Sequence, residues 1–220
     1  MRWTDFPKWG RYVADWAAEY HGSLRERPVR AQTKPGEIAA QLAAAAPEQG
    51  EPVEDVIKDF ERIVMPGITH WQHPRFFAYF PSNASPAAVL ADFFTTVMAP
   101  QCMLWQTSPA ATEMETRMMD WLRDALGLPQ AFHGVIQDSA SGATLAAVLT
   151  MREKALNWAG NQKGLTGQAR LRIYASEEVH TSVDRAIWIA GIGQENLVRI
   201  PTHGPMRAMD PAKLDAAIKA

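Results

Sequence analysis

The sequence predicts an α/β protein whose parallel sheet is incomplete. Short apolar runs typical of strands alternate with helix-like segments in the second half of the chain, at 134–137, 170–176 and 196–200. Such alternation favours a parallel sheet that is covered on both faces by helices. A typical sheet has about five or six strands. The three candidate strands therefore predict part of a larger protein rather than a complete domain.

The first third of the chain is predicted to be helical, with turns marked by proline. Helices are expected at 4–20, in the alanine-rich stretch 35–47 and at 53–64. Apolar residues in 53–64 recur at i, i+3, i+4 and i+7, which predicts one buried stripe. The segment 73–86 is aromatic and punctuated by prolines, so we expect an ordered loop, with or without a short strand.

The remaining helices are predicted from caps and periodicity. Ser108 precedes Pro109 as the expected N-cap of a helix over 109–127, with one apolar face. The residues of that face are Met114, Met118, Trp121, Leu122 and Ala125. The other predicted helices are 86–99, 142–158, 180–190 and one that begins at Asp210-Pro211.

Composition excludes several classes of protein. The 220 residues carry a net charge of −2 and are 47% hydrophobic, which disfavours nucleic acid or an anionic membrane surface as a partner. The one cysteine, Cys102, excludes an intrachain disulfide and fits a reducing compartment. The N-terminus lacks the apolar core of a signal peptide, so a cytoplasmic location is expected.

The turn Asp138-Ser139-Ala140-Ser141-Gly142 lies between a predicted strand and a predicted helix. Small residues let a ligand approach the backbone, and the free N–H groups and dipole of a helix N-terminus suit a phosphate. The turn matches neither a Walker loop nor the dinucleotide fingerprint. An equally good interpretation is that Ser139 or Ser141 only caps the helix.

Three histidines are candidates for chemistry. His180 follows the second predicted strand, at the sheet edge where ligands gather in open parallel sheets, although it is also a plausible helix cap. His70 and His73 have no third ligand at metal spacing, so no metal site is predicted.

Four segments in register carry a resemblance to a known family. They are "MPGITHWQHPRFFAYFPSNASPAAVLAD" (65–92), "LWQTSPAATEMETRMMDWL" (104–122), "GVIQDSASGATLAAVL" (134–149) and "HTSVDRA" (180–186). Together they resemble the pyridoxal-phosphate-dependent aromatic L-amino-acid decarboxylases, the group II decarboxylases of fold type I. The continuation Ala78-Tyr79-Phe80-Pro81 is similar to the aromatic-substrate branch.

The resemblance implies a fold and an assembly. It implies a large α/β domain of fold type I, which resembles the pyridoxal-phosphate-dependent transferases. Residues 85–220 correspond to the first part of that domain, so its sheet is incomplete in this chain. Residues 1–84 correspond to the family's helical dimerisation segment, which wraps around the partner subunit. The family's homodimer builds each active site at the subunit interface.

The resemblance also implies the site residues. Ser139, Ala140 and Ser141 correspond to the family's grip on the phosphate of pyridoxal 5'-phosphate. His180 corresponds to the catalytic histidine that stacks on the pyridine ring, near the substrate carboxylate. The implied substrate-binding residues are Trp71, Tyr79, Phe80, Pro81, Ser82, Gln101 and Met103. Many relatives are more apolar or aromatic at 101 and 103, which leaves the identity of the substrate open.

The activity implied for the complete protein is decarboxylation of tryptophan, tyrosine, dopa or phenylalanine to the arylalkylamine and CO₂. The alternatives are a group II relative that acts on another amino acid such as histidine, an aldehyde synthase, or a non-catalytic fragment that only binds or dimerises. None of the lysines lies in the family's Schiff-base motif, so this chain alone is expected to lack that lysine. A C-terminal half, as a separate or missing chain, is therefore an expected partner.

Overall fold

The structure is a computed structural model that describes residues 1–80 and 84–220. The chain divides into two compact units, Met1–Ala99 and Pro100–Ala220. This division comes later than the predicted boundary after residue 84 because helix α3 (Pro86–Met98) packs within the first unit. There Phe93 stacks on Phe6, with ring centroids 5.7 Å apart and planes 8° apart. The roles predicted for the two segments stay predictions.

Two of the predicted helices of the first unit are confirmed. Helix α1 (Phe6–Ser23) has a proline in its first turn, where the missing N–H costs nothing. Helix α2 (Val53–Asp59) continues through a π-helical turn (Phe60–Val64) and a 3-10 turn (Met65–Gly67). Another 3-10 turn, Leu24–Glu26, follows α1.

The helix predicted over 35–47 is wrong. Only a 3-10 turn, Ala39–Gln41, forms there. Gly36 takes a positive φ of 91°, and Leu42 is already extended with ψ of 151°, so the helical backbone cannot spread in either direction. The alanines are exposed, and a short helix without packing is marginal even for alanine-rich sequences.

The buried stripe predicted in 53–64 forms only in part, and the apolar face predicted for helix α4 is exposed in this chain. In the 53–64 stripe Ile63 is buried, but Val56, Phe60 and Val64 are exposed. On the predicted face of helix α4, Met114, Met118, Trp121 and Leu122 are all exposed. Periodicity identifies which residues share a face, but it does not supply the element that covers them. The segment 73–86 is a loop without strand structure in its described residues.

The helices of the second unit are α4 (Pro109–Ala125), α5 (Ala140–Ala155), α6 (Ala159–Lys163), α7 (Ser182–Ile189) and α8 (Pro211–Lys219). Four of them follow the predictions closely, whereas the short helix α6 was not predicted. Asp210 caps α8, because its Oδ1 accepts the N–H groups of Ala212 and Lys213 at 2.9 and 3.2 Å. Ser108 occupies the N-cap of α4, but its hydroxyl makes no capping hydrogen bond.

Two of the three predicted strands pair. Strand β1 (Ile173–Ser176) and strand β2 (Leu197–Ile200) are parallel, with Ile173 opposite Leu197 and Ser176 opposite Ile200. The short antiparallel hairpin of β3 (Thr202–His203) and β4 (Ala208–Met209) was not predicted. The parallel pairing confirms the α/β class.

The strand predicted at 134–137 does not form. Val135 and Ile136 are exposed, and the Ile136 N–H donates to the Glu115 carboxylate at 2.6 Å. A strand needs a neighbouring backbone to pair with. No strand among the described residues pairs with this segment.

One apolar core fixes helices α5 and α7. Val148 of α5 packs with Ala186 and Ile187 of α7 and with the following Ala190 and Ile192. Partly buried side chains from β1, β2 and their flanks cover this cluster.

Over the described ranges, no helix is both long and apolar enough to cross a bilayer.

Candidate active site

The serine turn is a capped helix N-terminus. Ser139 is extended, with φ of −157° and ψ of 161°, and α5 begins at the next residue. The Gly142 N–H donates to Ser139 Oγ at 3.1 Å, and the Ala143 N–H donates to the Ser139 carbonyl at 2.9 Å. The capping interpretation of Ser139 is therefore confirmed, and its side chain satisfies one, that of Gly142, of the four N–H groups that lack an intrahelical partner.

The rest of that turn offers donors to an anion. The N–H groups of Ala140 and Ser141 are not used by the cap, and the Ser141 side chain is exposed. A Cβ on Gly142 would run into the Asp138 carboxylate, so a larger residue there would displace that side chain. Free N–H groups at the positive end of a helix dipole suit a phosphate. The donor set fits one phosphate group, with Asp138 limiting the room beside Gly142.

His180 is held at its Nδ1 side. It lies between the end of β1 and the start of α7, and its ring is exposed. The Ser182 N–H donates to His180 Nδ1 at 3.1 Å, and Ser182 Oγ lies at the same distance from that nitrogen. The imidazole therefore caps the first turn of α7 while its opposite edge faces outward. His180 therefore caps the helix and still exposes its ring to a ligand.

Contacts across α5 and α7 bring the two turns into one neighbourhood. Thr144 Oγ1, one turn into α5, lies 3.5 Å from Ser182 Oγ. The predicted phosphate turn and His180 thus belong to helices whose first turns touch. Among the described residues, no hydrogen bond or ring contact joins Gln101 or Met103 to either turn, and both side chains are exposed.

Asp184, a buried carboxylate within the segment HTSVDRA, anchors α7. Asp184 Oδ1 accepts hydrogen bonds from Arg199 Nη2 at 2.5 Å and from Gln194 Nε2 at 2.8 Å. The hydrogen bond from Arg199, followed by that from Gln194, lowers the pKa of Asp184 below its usual value. The carboxylate therefore stays charged and ties α7 to β2. Arg199 is 15 residues away, a separation with no motif to reveal it.

The segment just before His180 is held by the β3–β4 hairpin. Glu177 accepts the N–H and the hydroxyl of Thr202, both at 2.8 Å. These hydrogen bonds, the backbone one first, lower the pKa of Glu177. Glu178 forms an ion pair with Arg207 in the same hairpin. Glu177 and Glu178, which lie just before His180, thus hold its backbone to the hairpin.

The predicted substrate loop forms an aromatic stack inside the first unit. Trp71 stacks on Phe76 and on Tyr79, with centroids 4.9 and 5.6 Å apart. Tyr79 takes a left-handed φ of 57° and is 83% exposed, and Phe80 is fully exposed at 100%. The structure brings Trp71 and Tyr79 together, and among the described residues no ring contacts Phe80. Pro81 and Ser82 lie outside the described residues.

Two buried histidines support this loop. The Nδ1 of His70 lies 2.9 Å from the Tyr20 hydroxyl, and the His70 N–H donates to the Val29 carbonyl at 3.0 Å. His73 Nδ1 accepts the Arg75 N–H at 3.0 Å, while its buried Nε2 has no hydrogen-bond partner within the part of the chain that the structure describes. Among residues 1–80 and 84–220, no group of three His, Cys, Asp or Glu side chains is placed to hold a metal.

Acid is expected to destabilise the first unit through His70. Burial, then Arg27 and then His73, lowers the pKa of His70 below its ordinary value of 6.5. The unfolded chain therefore binds more protons than the folded chain once the pH falls below about 6.5, and stability decreases from there downward. Above that pH, His70 does not make the free energy of unfolding depend on pH. Urea unfolding measured at a series of pH values checks this expectation.

A substitution series isolates the residue. His70→Gln should flatten the acid limb, the part of the plot of unfolding free energy against pH that lies below about pH 6.5. Glutamine cannot titrate but can still hydrogen-bond to Tyr20. His21→Gln is the matched control, because His21 is exposed in the same unit. An unchanged acid limb in His70→Gln would contradict the assignment.

Known proteins place the chain in a family. The model of the pyridoxal-dependent decarboxylase conserved domain matches residues 35–220. The aromatic-L-amino-acid decarboxylase of Sus scrofa is 40% identical over 231 residues, which cover 100% of this chain and 47% of that protein. The phenylacetaldehyde synthase of Petunia hybrida is 35% identical, over 98% of this chain and 43% of that protein.

A solved structure agrees with these relatives. The Oryza sativa TDC with PLP and tryptamine superposes with a TM-score of 0.90 at 33% identity, over 100% of this chain and 48% of that one. This likeness confirms the predicted fold type I architecture. The chain spans about half the length of the relatives that it matches. From its first residues to its last it corresponds to part of a pyridoxal-phosphate enzyme, and it belongs to the pyridoxal-dependent decarboxylase family.

Proposed function

We propose that the complete protein decarboxylates an aromatic L-amino acid to the corresponding arylalkylamine and CO₂, using pyridoxal 5'-phosphate. The observation that carries this proposal is the joint placement of the serine turn and His180 on two helices whose first turns touch. The decarboxylase of Sus scrofa and the rice structure with tryptamine support the aromatic substrate class.

The serine turn anchors the cofactor in this proposal. The N–H groups of Ala140 and Ser141 and the Ser141 hydroxyl bind the phosphate, while Ser139 is committed mainly to capping the helix. When bound, the pyridine ring of the cofactor accepts the electron pair that is released as CO₂ leaves. A fixed phosphate keeps that ring in one orientation, and this positioning contributes to the rate of the reaction.

His180 holds the ring from one face and lies near the substrate carboxylate. Its Nδ1 is occupied by Ser182, so Nε2 is the nitrogen that can meet a ligand. Trp71, Tyr79 and Phe80, with Pro81 and Ser82, contact the aromatic side chain of the substrate. Gln101 and Met103 approach the ring site of the partner subunit in a homodimer. These substrate and dimer roles rest on the family resemblance.

Aldehyde synthesis on the same scaffold is the second candidate function. The similarity to the phenylacetaldehyde synthase of Petunia hybrida favours aldehyde synthesis over decarboxylation of histidine. Product analysis separates the two candidate functions, because a decarboxylase releases the amine and an aldehyde synthase releases the aldehyde. The complete protein should be assayed with tryptophan, tyrosine, dopa and phenylalanine, with histidine as the non-aryl comparison.

The phosphate grip is tested by Ser141→Ala in the complete protein. Loss of one hydrogen bond to a charged group costs about 1.5–3 kcal/mol, which corresponds to a fall in cofactor affinity of about 10- to 100-fold. Titration of the apoprotein with pyridoxal phosphate, followed by absorbance, measures this change.

Ser108→Ala is the matched control, because Ser108 also sits at a helix N-terminus but makes no capping hydrogen bond. It should leave cofactor affinity unchanged. If Ser141→Ala left the affinity for pyridoxal phosphate unaltered, the Ser141 hydroxyl would not be part of the phosphate grip. A complete protein that neither binds pyridoxal phosphate nor releases CO₂ from any of these amino acids would overturn the proposed function.

A further inference from the structure

Ser182 joins the two halves of the candidate site. It is buried, it is the first residue of α7, and it lies two residues after His180. Its backbone and side chain both reach His180 Nδ1 at 3.1 Å, and its hydroxyl also lies 3.5 Å from Thr144 Oγ1 on α5. None of the motifs that identify the site gives Ser182 a role of its own.

The backbone contact determines where His180 carries its proton. A backbone N–H can only donate, so His180 Nδ1 must accept the hydrogen bond from Ser182 and cannot itself be protonated. The neutral ring therefore carries its hydrogen on Nε2. This assignment follows from the geometry of the donor rather than from an observed hydrogen atom. The exposed edge of the ring is consequently a hydrogen-bond donor.

The side-chain contact connects the ring to the serine turn. The Thr144 hydroxyl donates its one proton to the Ala140 carbonyl at 2.8 Å, so toward Ser182 it can only accept. Ala140 is the first residue of α5 and belongs to the serine turn. The Ser182 hydroxyl has one proton, which it donates to Thr144, while the Ser182 backbone N–H donates to His180 Nδ1. The path from His180 to the serine turn thus runs through the backbone and side chain of Ser182 and then through Thr144.

We propose that Ser182 is a positioning residue that holds His180 in the Nε2–H tautomer and fixes its ring relative to the serine turn through Thr144. The role of His180 toward cofactor and substrate rests on the proposed function, whereas the tautomer does not. A donor at Nε2 matches a carboxylate, which offers only acceptors. The opposite tautomer would present a lone pair to that carboxylate.

The tautomer is measured by ¹⁵N NMR of the histidine side chains in the 220-residue chain at neutral pH. His180 should show a pyridine-type shift at Nδ1 and a pyrrole-type shift at Nε2. Ser182→Ala should keep this tautomer, because alanine retains the backbone N–H that donates to Nδ1. A pyrrole-type Nδ1 in the unaltered chain, or loss of the tautomer preference in Ser182→Ala, would overturn the assignment to the backbone N–H.

Kinetics of the complete protein give the second readout. Removing one neutral hydrogen bond costs about 0.5–1.5 kcal/mol, so Ser182→Ala should lower kcat by up to about tenfold with little change in KM. Ser182→Thr restores a hydroxyl and should recover most of the loss. Thr144→Val should give a similar decrease, because it removes the acceptor of the same Ser182 hydroxyl.

Thr150→Val is the matched control for Thr144→Val. Thr150 also lies on α5 and donates its hydroxyl to the carbonyl four residues earlier, Ala146, at 2.8 Å, but it is exposed. It should leave kcat and the His180 shifts unchanged. Equal losses in the two variants would mean that helix stability, not positioning, is measured.

The two proposals fail differently. If the complete protein decarboxylates its substrate but His180 shows no tautomer preference, positioning by Ser182 is wrong and the proposed function stands. If His180 shows the predicted shifts but the complete protein binds no pyridoxal phosphate, the proposed function is wrong and the Ser182–His180 geometry stands.

Discussion

Replacing His180 by alanine in the complete protein is expected to lower turnover by about 100-fold, the scale on which small misplacements of a reacting group act. The imidazole is fixed at Nδ1 and exposes its Nε2 edge, so its removal takes away both a flat surface for the cofactor ring and a donor for the carboxylate. The phosphate donors of the serine turn are untouched, so cofactor should still bind. Steady-state CO₂ release, with the visible spectrum of bound cofactor, measures the two effects separately.

His203→Ala is the control for this prediction. His203 is also exposed and lies in the β3–β4 hairpin, outside the proposed site. It should leave turnover within the error of the unaltered enzyme. Unchanged turnover and spectrum in His180→Ala would exclude a ring-stacking role.

Replacing Ile187 by alanine is expected to destabilise the second unit by about 2–5 kcal/mol. Ile187 is 0% exposed at the centre of the core that joins α5 and α7. The variant loses the transfer free energy of the removed methyl groups and leaves a cavity, because tightly packed neighbours relax only in part. Urea unfolding followed by circular dichroism gives the free energy of unfolding.

Ile189→Ala is the matched control, since Ile189 lies on the same helix but is 67% exposed in this chain. Its effect should stay within about 0.5 kcal/mol, as for other surface substitutions. Similar losses in both variants would show that the change in helix propensity, not the buried cavity, dominates.

Local sequence signals predicted the elements that are stabilised locally. Asp210 followed by proline indicated the start of α8, and the structure confirms that the Asp210 side chain caps it. Small residues after an apolar run located the N-terminus of α5, and His180 was placed correctly at the junction between β1 and α7. In these cases the determining atoms lie within a few residues of one another.

Predictions failed where a distant partner decides the outcome. The stretch 35–47 has good helix formers, but its alanines are exposed. Among the described residues, the strand-like segment 134–137 has no paired strand. The supports of the site were missed for the same reason. Thr144 and Ser182 meet across 38 residues, and no spacing rule connects a threonine on one helix with a serine on another.

Gly142 and Asp138 share one space, which makes substitutions at the two positions interdependent. A side chain at 142 has no room while the Asp138 carboxylate occupies the space where its Cβ would lie. A larger residue at 142 therefore requires that the side chain at 138 be shortened or turn away. Because neighbouring substitutions of this kind are not additive, the tolerance of position 142 depends on the residue at 138.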